Sequence, residues 1–463
     1  MKSFIIAVTT LLLWTGNIFS QTDIDGTWEG AIDIMGTRLD IFVTFLSDEG
    51  TLSAKIDIPQ QGAHNLVLTN VSHQNYSVHF ELPAGGTTAV FDGTREGDEI
   101  TGIFTQSGIR GSFYLNRTDY EEQIIDEKPV PYNEEEVYIY NGDIRLGCTL
   151  TYPFSGVPHP AVILITGSGS QDRDETIFGF KPFRILADYL TPNGIAVLRC
   201  DDRGVGESTG RGIPFTSGDR AGDVSAMVDF LSNRNEIKHN QIGLCGHSEG
   251  GIIAAMVAAR DPQISFIISM AGSAVIGRDI LKEQSRLIFK EEGIDDSILE
   301  QQQKVIDLAY KAAMTGEGWD EVEKVVREIA PGQITDEQRA SIDDIDQYID
   351  QFVTGSMSAV QSAWYQFFIT HDPSDDWRRV TQPVLGLFGE LDLQVPPEMN
   401  KKALQEALDY AGNPDYELMI IPQANHLFQK AKTGSPTEYA QLDKEFIDGF
   451  PYIILNWIRE MVK

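Results

Sequence analysis

The sequence predicts an α/β fold: a mostly parallel sheet flanked by helices, with a helical segment inserted late in the chain and a small all-β domain in front. Three patterns predict it. From residue 161 onward, apolar runs without alternation (AVILITG, GIAVLRC, QIGLCG, SFIISMA) are separated by helical stretches. Strands covered on both faces read as unbroken apolar runs, and helices that follow each strand supply the cover. Residues 23 to about 117 carry short alternating runs broken by SDEG, AGG and EGDE turn signals. Between 277 and 375 strand signals stop and long helical patterns such as ILEQQQKVIDLAYKAAM take over.

The chain opens MKSFIIAVTTLLLWTGNIFSQ. Lys2, an apolar run from Phe4 to Trp14 and a small-residue exit at Ser20 have the order of a secretory signal over residues 1–20. The run is too short for a membrane span and no later stretch approaches one, so no stable membrane anchor is expected after cleavage. The three cysteines, Cys148, Cys200 and Cys245, lie in apolar strand-like segments and are expected as buried free thiols. Export without disulfides points to a bacterial protein, secreted or periplasmic. A net charge of −33 argues against a nucleic-acid partner, which needs clustered Lys and Arg. Composition does not address oligomeric state.

Residues 21–118 read as the all-β domain, a small barrel or sandwich. TRLDIFVTFL, NLVLTNV, YSVHFEL and EITGIFTQ are its strands, with Trp28 in the opening strand and Phe113 in the closing one. A Pro-containing acidic stretch over 118–135 reads as a linker. The α/β domain is expected over 119–463, beginning with the hairpin EEVYIYNGDIRLGCTLTYP. The insert at about 277–375 is expected to cap an active site, as insertions of that kind do. Strand–helix alternation resumes with PVLGLFG at 383–389, a helix over 397–411, YELMIIP at 416–422 and a last helix at YIILNWIREMV.

Gly246-His247-Ser248-Glu249-Gly250 matches G-x-S-x-G between a predicted strand and a predicted helix. That context places the Ser248 hydroxyl at the apex of a sharp turn, on the carboxyl edge of the sheet. Serine needs a base. His426 follows the strand YELMIIP and is the candidate; His371 is the rival, and His247 is assigned a structural role. Asp392, after PVLGLFG, is the acid expected to orient His426, with Glu390 and Asp372 as alternatives. Ser, Asp, His is the chain order of the α/β-hydrolase fold. Oxyanion donors are expected from the N–H of Glu249 and from the glycine-rich loop after AVILITG, Ser168 first and Gly169 next. The glycines of DDRGVGESTG have GxGxxxG spacing, which is not a dinucleotide loop, and no metal-ligand spacing of His or Cys occurs, so neither cofactor nor metal is expected. The run SAWYQFF over 362–368 reads equally as an acyl pocket and as a helix packed on the core.

The ordered set TGSGSQDRDE, LRCDDRGVGESTG, GHSEGG, GELDLQVPPE and ANHLF resembles the serine-aminopeptidase-like branch of the α/β hydrolases. Within that branch it is most similar to exported bacterial carboxylesterases with an N-terminal β module. The resemblance covers about 135–463. It implies a small-molecule ester as substrate, a triad of Ser248, Asp392 and His426, an oxyanion site in the first loop and a helical cap. It also implies that Asp202 and Arg203 pin a loop beside the site. Cys200 stands where such sequences tend to have an aromatic residue, and Ser170 where proline is common. A peptidase, thioesterase or acyltransferase of the same fold shares this chemistry, and an inert hydrolase domain whose β module binds a partner is the non-enzymatic alternative.

Overall fold

The computed structural model describes residues 24–34, 37–48, 51–58, 63–84, 87–106, 109–118, 130–333 and 344–463. The signal expected over 1–20 and most of the expected linker lie outside these residues. Nine antiparallel strands come first: β1 (Gly26–Ile34), β2 (Thr37–Asp48), β3 (Thr51–Ile58), β4 (Ala63–Val67), β5 (Thr69–Gln74), β6 (Ser77–Ala84), β7 (Thr87–Glu96), β8 (Glu99–Gln106) and β9 (Ile109–Arg117). Their order is β4-β3-β2-β1-β9-β8-β7-β6-β5. Opening and closing strands are neighbours, with Ile32 opposite Phe113. The sheet rolls into a nearly closed barrel because its end strands β4 and β5 are joined through Leu68 alone. The stretch NLVLTNV, expected as one strand, breaks at this corner. Leu68 is buried and its N–H donates to the Ala54 carbonyl of β3, while Asn70 has φ of 50°. Alternating apolar residues face inward and meet as an aromatic cluster: Phe80 stacks on Phe91 at 4.6 Å, and Phe113 stands edge-on to both.

The second sheet holds β10 (Asn133–Asn141), β11 (Ile144–Tyr152), β12 (His159–Ile165), β13 (Ala196–Cys200), β14 (Ile237–His247), β15 (Ile264–Met270), β16 (Val384–Gly389) and β17 (Tyr416–Ile421). Its order is β10-β11-β13-β12-β14-β15-β16-β17. The hairpin β10–β11 turns at Gly142, with φ of 59°, and β11 pairs antiparallel with β13. From β13 to β17 all pairings are parallel, so their carboxyl ends share one edge.

Helices α1 (Pro182–Leu190) and α11 (Phe450–Met461) cover one face; α2 (Ser217–Ser232), α3 (Glu249–Ala258) and α10 (Pro397–Ala411) cover the other. Val162 and Leu164 of β12 join the first core, whereas Ala161, Ile163 and Ile165 join the second. Both sides of the strand are therefore apolar, which is why its sequence shows no alternation.

Among the described residues, six α-helices lie between β15 and β16: α4 (Gly277–Glu291), α5 (Asp296–Thr315), α6 (Trp319–Ile329), α7 (Ile345–Val360), α8 (Ala363–Thr370) and α9 (Ser374–Trp377). They enclose small cores of their own, one around Val322, Val326 and Val353, another around Ile306, Ala309 and Ile369.

The expectation of three free thiols is corrected. Cys148 of β11 stands directly opposite Cys200 of β13, and the two form a disulfide; Cys245 is free and buried. Their sequence separation of 52 hid an adjacency created only when β11 docks on β13. A bridge over a loop of that length typically contributes about 2–4 kcal/mol. Replacing both Cys148 and Cys200 by Ser is expected to lower stability by about that amount in a denaturant titration, with the native fold retained. An unchanged unfolding midpoint would show that the two sulfurs are not joined.

Candidate active site

Strand β14 ends at His247 and helix α3 begins at Glu249, so the chain reverses at a single residue, Ser248. Its φ of 54° and ψ of −118° are unusual for a residue with a side chain. The turn is this tight because backbones touch. A Cβ on Gly246 would lie 2.0 Å from the Gly250 carbonyl oxygen, and one on Gly250 would lie 2.1 Å from that of Ile165. Ser248 N–H donates to the Met270 carbonyl at the end of β15. Ser248 itself stays partly exposed while its neighbours are buried.

His426 lies in the loop after β17, on the same sheet edge. Asn425 shapes that loop by accepting from the N–H groups of Leu427 and Gln429 through Oδ1. His426 Nδ1 lies 2.8 Å from Asp392 Oδ2, and both residues are buried. The other oxygen of Asp392 accepts from the N–H groups of Gln394 and Val395, each at 2.8 Å. The carboxylate is thus held by its own loop and aimed at the ring. Glu390 is exposed and accepts from Gln423 N–H, tying the two loops together without reaching His426. Asp372 accepts from Ser374 N–H at the start of α9. His371 stacks on Phe367 and lies 2.9 Å from Asp376, so the rival base is engaged elsewhere.

The loop after β12 begins against the turn, since a Cβ on Gly167 would lie 3.2 Å from Ser248 Cβ. Gly167 N–H donates to Glu175 Oε1 at 2.6 Å. Ser168 and Gly169 follow, both exposed, and Gly169 has φ of 95°. Glu249 is the first residue of α3, so its N–H has no acceptor within the helix and sits at the positive end of the dipole.

A buried charge cluster holds this loop. A capping box of Thr216 and Asp219 starts α2 and sets where Arg220 projects. Arg220 donates to the carbonyls of Thr166 and Gly167 and to Asp202 Oδ1, and lies 3.7 Å from Glu249 Oε2. Asp202 also accepts from Thr166 Oγ1 and Gln171 N–H. Burial pushes the Asp202 carboxyl up to about 6, against the opposing pull of Arg220, Thr166 and Gln171. Arg203 pairs with Asp223 of α2. The loop DDRGVGESTG is therefore built into the scaffold, as the resemblance implied.

Residues 181–430, more than half of the chain, match the model of the family described as serine aminopeptidase, S33. The chain belongs to this family of α/β hydrolases. Over 385 residues it is 24% identical to esterase EstD of Thermotoga maritima, covering 82% of this chain and 79% of that protein. A match of 115 residues at 32% identity relates it to 2,6-dihydropseudooxynicotine hydrolase of Paenarthrobacter nicotinovorans, over 25% of this chain and 29% of that one. Among solved structures, Est1E of Butyrivibrio proteoclasticus, bound to ferulic acid, aligns over 70% of this chain and 97% of that one, at 19% identity and a TM-score of 0.40. By its match to esterase EstD the hydrolase is esterase-like.

Sequence reasoning missed two residues of the hydrolase's site, Glu175 in an acidic loop and Arg220 in a helix. Trp364 of α8, within the run SAWYQFF, has its indole N–H 3.0 Å from both oxygens of the Glu249 carboxylate, which also accepts from Ser217 Oγ. The stretch SAWYQFF is thus a helix packed on the α/β core: Phe367 and Phe368 pack against it, and Trp364 stacks on Phe368 at 5.4 Å.

Gly250→Ala tests the tightness of the turn. With a carbonyl 2.1 Å from the new methyl, the backbone of β12 or α3 must shift. A loss of about 1–3 kcal/mol is expected in chemical denaturation. A neutral effect would mean that the turn is looser than described.

Proposed function

We propose that the hydrolase cleaves carboxylic esters through an acyl-enzyme, with Ser248 as nucleophile, His426 as base and Asp392 as the group that orients the base. The observation that carries this reading is the buried Asp392–His426 pair, at 2.8 Å, on the sheet edge that presents Ser248 at a left-handed turn. In the proposed reaction the Ser248 oxygen bonds to the ester carbonyl carbon while His426 Nε2 takes its proton. The carbonyl oxygen becomes an oxyanion, accepted by the N–H of Glu249 and of Ser168, with Gly169 next in line. Gly167 N–H is already committed to Glu175, which favours Ser168. Collapse of the intermediate breaks the ester bond, and His426 returns the proton to the departing alkoxide. Water, deprotonated by His426, then attacks the acyl carbon, releasing the acid and restoring Ser248.

In this reading the helices over 277–375 form a cap. Two contacts support it: Trp364 with Glu249 at the nucleophile, and Glu292 of the α4 end with Thr437 Oγ1, at 2.8 Å, in the segment after His426. The all-β domain over 21–118 and the hydrolase domain over 119–463 are read as separate units. We further propose export of the mature chain. The Cys148–Cys200 disulfide supports an oxidising compartment on grounds independent of the N-terminal sequence.

A peptidase reading is favoured by one finding, the description of the matching family. Hydrolysis of p-nitrophenyl esters against aminoacyl p-nitroanilides separates the two; faster turnover of the anilides would replace the ester reading. Ser248→Ala is expected to lower ester turnover by roughly 10⁵ or more, with loss of fluorophosphonate labelling. Retention of a tenth of the activity would show Ser248 to be the wrong residue. Asp392→Asn is expected to cost roughly 10⁴, because the amide favours the wrong histidine tautomer. Glu390→Gln should cost tenfold or less, roughly 1.4 kcal/mol at most. The reverse ranking would move the acid to Glu390.

A further inference from the structure

His247 precedes the nucleophile, yet its ring is directed to two other loops. Nδ1 lies 2.9 Å from Glu175 Oε1, in the loop after β12. Nε2 lies 3.0 Å from the backbone carbonyl of His426, in the loop after β17. Both residues are buried. The two partners fix the protonation of the ring. A carbonyl oxygen only accepts, so Nε2 carries hydrogen. Glu175 Oε1 also accepts from Gly167 N–H at 2.6 Å, a role suited to a carboxylate oxygen and not to the weakly accepting hydroxyl of a carboxylic acid, and the Arg220 charge favours the anion. Against a carboxylate Nδ1 carries hydrogen as well, since a neutral ring would turn a bare nitrogen lone pair against an anionic oxygen.

We propose that His247 is an imidazolium at neutral pH which, paired with Glu175, is a positioning residue for the ester-cleaving site. One end of the pair holds Gly167, next to the expected oxyanion donor Ser168. The other end holds the backbone of the base, His426. The two loops come from opposite sides of β14, and the pair is a bridge between them that runs beneath Ser248. The proposal rests on the triad reading for its kinetic consequence but not for the charge itself.

The charged groups around the ring agree. Glu175 and Asp392 are the anions that act on it, the His426 ring lies 4.7 Å away between centroids, and Arg220 attracts Glu175 electrostatically. Burial works against the cation, yet the two carboxylates and the carbonyl overcome it, so the ring titrates above its ordinary range. For a raised histidine the stabilisation from the pair is complete below the ordinary histidine value. It is lost as pH rises through the raised value.

Two measurements on the full-length protein test the proposal. In ¹⁵N-histidine NMR of the wild type, with His247 assigned through its backbone connectivity, both ring nitrogens should be protonated at neutral pH. In kinetics with p-nitrophenyl butyrate, buffer rate subtracted, Glu175→Gln should lower kcat about tenfold or more with little change in KM. Its activity should also be lost on the alkaline side at a pH about one to three units below that of the wild type. Fluorophosphonate labelling of the variant, slower but complete, would show the nucleophile intact. A His247 ring with one bare nitrogen at neutral pH overturns the charge assignment, and the NMR arm needs no variant to fold. A proportional loss of activity at every pH, with no shift of the alkaline limb, overturns the positioning role. If Ser248→Ala stays active while the NMR result holds, the triad reading fails and the ion pair stands.

Discussion

The backbone of Ser248 is the constraint on which the rest of this edge depends. Its φ of 54° places a residue with a side chain in a region that typically costs about 1–3 kcal/mol and persists only where the surroundings over-determine it. Here three strands do so. Met270 at the end of β15 accepts from the Ser248 N–H, Gly250 is pressed on the last residues of β12, and Gly246 lies under the first turn of α3. Because α3 starts at once, the Glu249 N–H is left without an intrahelical acceptor, beside the hydroxyl. The position of the serine, the direction of the helix and a free donor follow from the same tight turn. The parallel order of β12, β14 and β15 then delivers the loops of Gly167 and Ala271 to either side of it.

Around this turn the hydrolase buries Glu175, Arg220, His247 and Glu249 and leaves the Asp202 side chain only slightly exposed. Each ion taken out of water costs several kcal/mol before its contacts are counted, and such groups are weak evidence for stability. Their arrangement accounts for a different role. Arg220 donates to two successive carbonyls, Thr166 and Gly167, and to the Asp202 carboxylate that also receives Gln171 N–H. The loop after β12 is exposed at Ser168 and Gly169, yet it is clamped at both ends from below. A loop meant to present backbone N–H groups needs such clamping, since its own peptide groups are not bonded in a sheet or helix. The charges fix geometry where apolar packing has no directional hold.

The sequence made the scaffold legible because strands with two apolar faces leave unbroken runs, and β12 through β17 appear close to their predicted places. The residues proposed as nucleophile, base and acid stood out for a related reason. Each sits directly after a strand, in the order Ser, Asp, His, and strand ends are the most regular feature of such a chain. What stayed hidden depended on register or on depth. The Cys148–Cys200 pairing needed the knowledge that β11 docks on β13. The break at Leu68 depended on barrel closure, which no local pattern encodes. Glu175 and Arg220 lie in segments whose composition suggests solvent, and only the finished fold turns them inward. His247 was read as structural from its place in the turn, and its contacts show what that structure consists of: a bridge between two loops.

Glu249 joins the chemistry to the inserted helices. Its N–H opens α3 directly after Ser248, while its carboxylate receives the indole of Trp364 from α8. A single residue thus touches the proposed oxyanion site on one side and the proposed cap on the other. The carboxylate does not rely on Trp364 alone. Ser217 Oγ donates to it at 2.5 Å, and Arg220 lies 3.7 Å away. Displacing α8 would remove one donor from a buried anion that keeps its cationic neighbour and its hydroxyl. The loss of one hydrogen bond to a charged group is worth about 1.5–3 kcal/mol, far less than leaving the carboxylate without any partner. The turn itself is secured from the α/β core by Arg220, Met270 and Ile165. Displacement of the proposed cap and integrity of the turn at Ser248 are therefore separable.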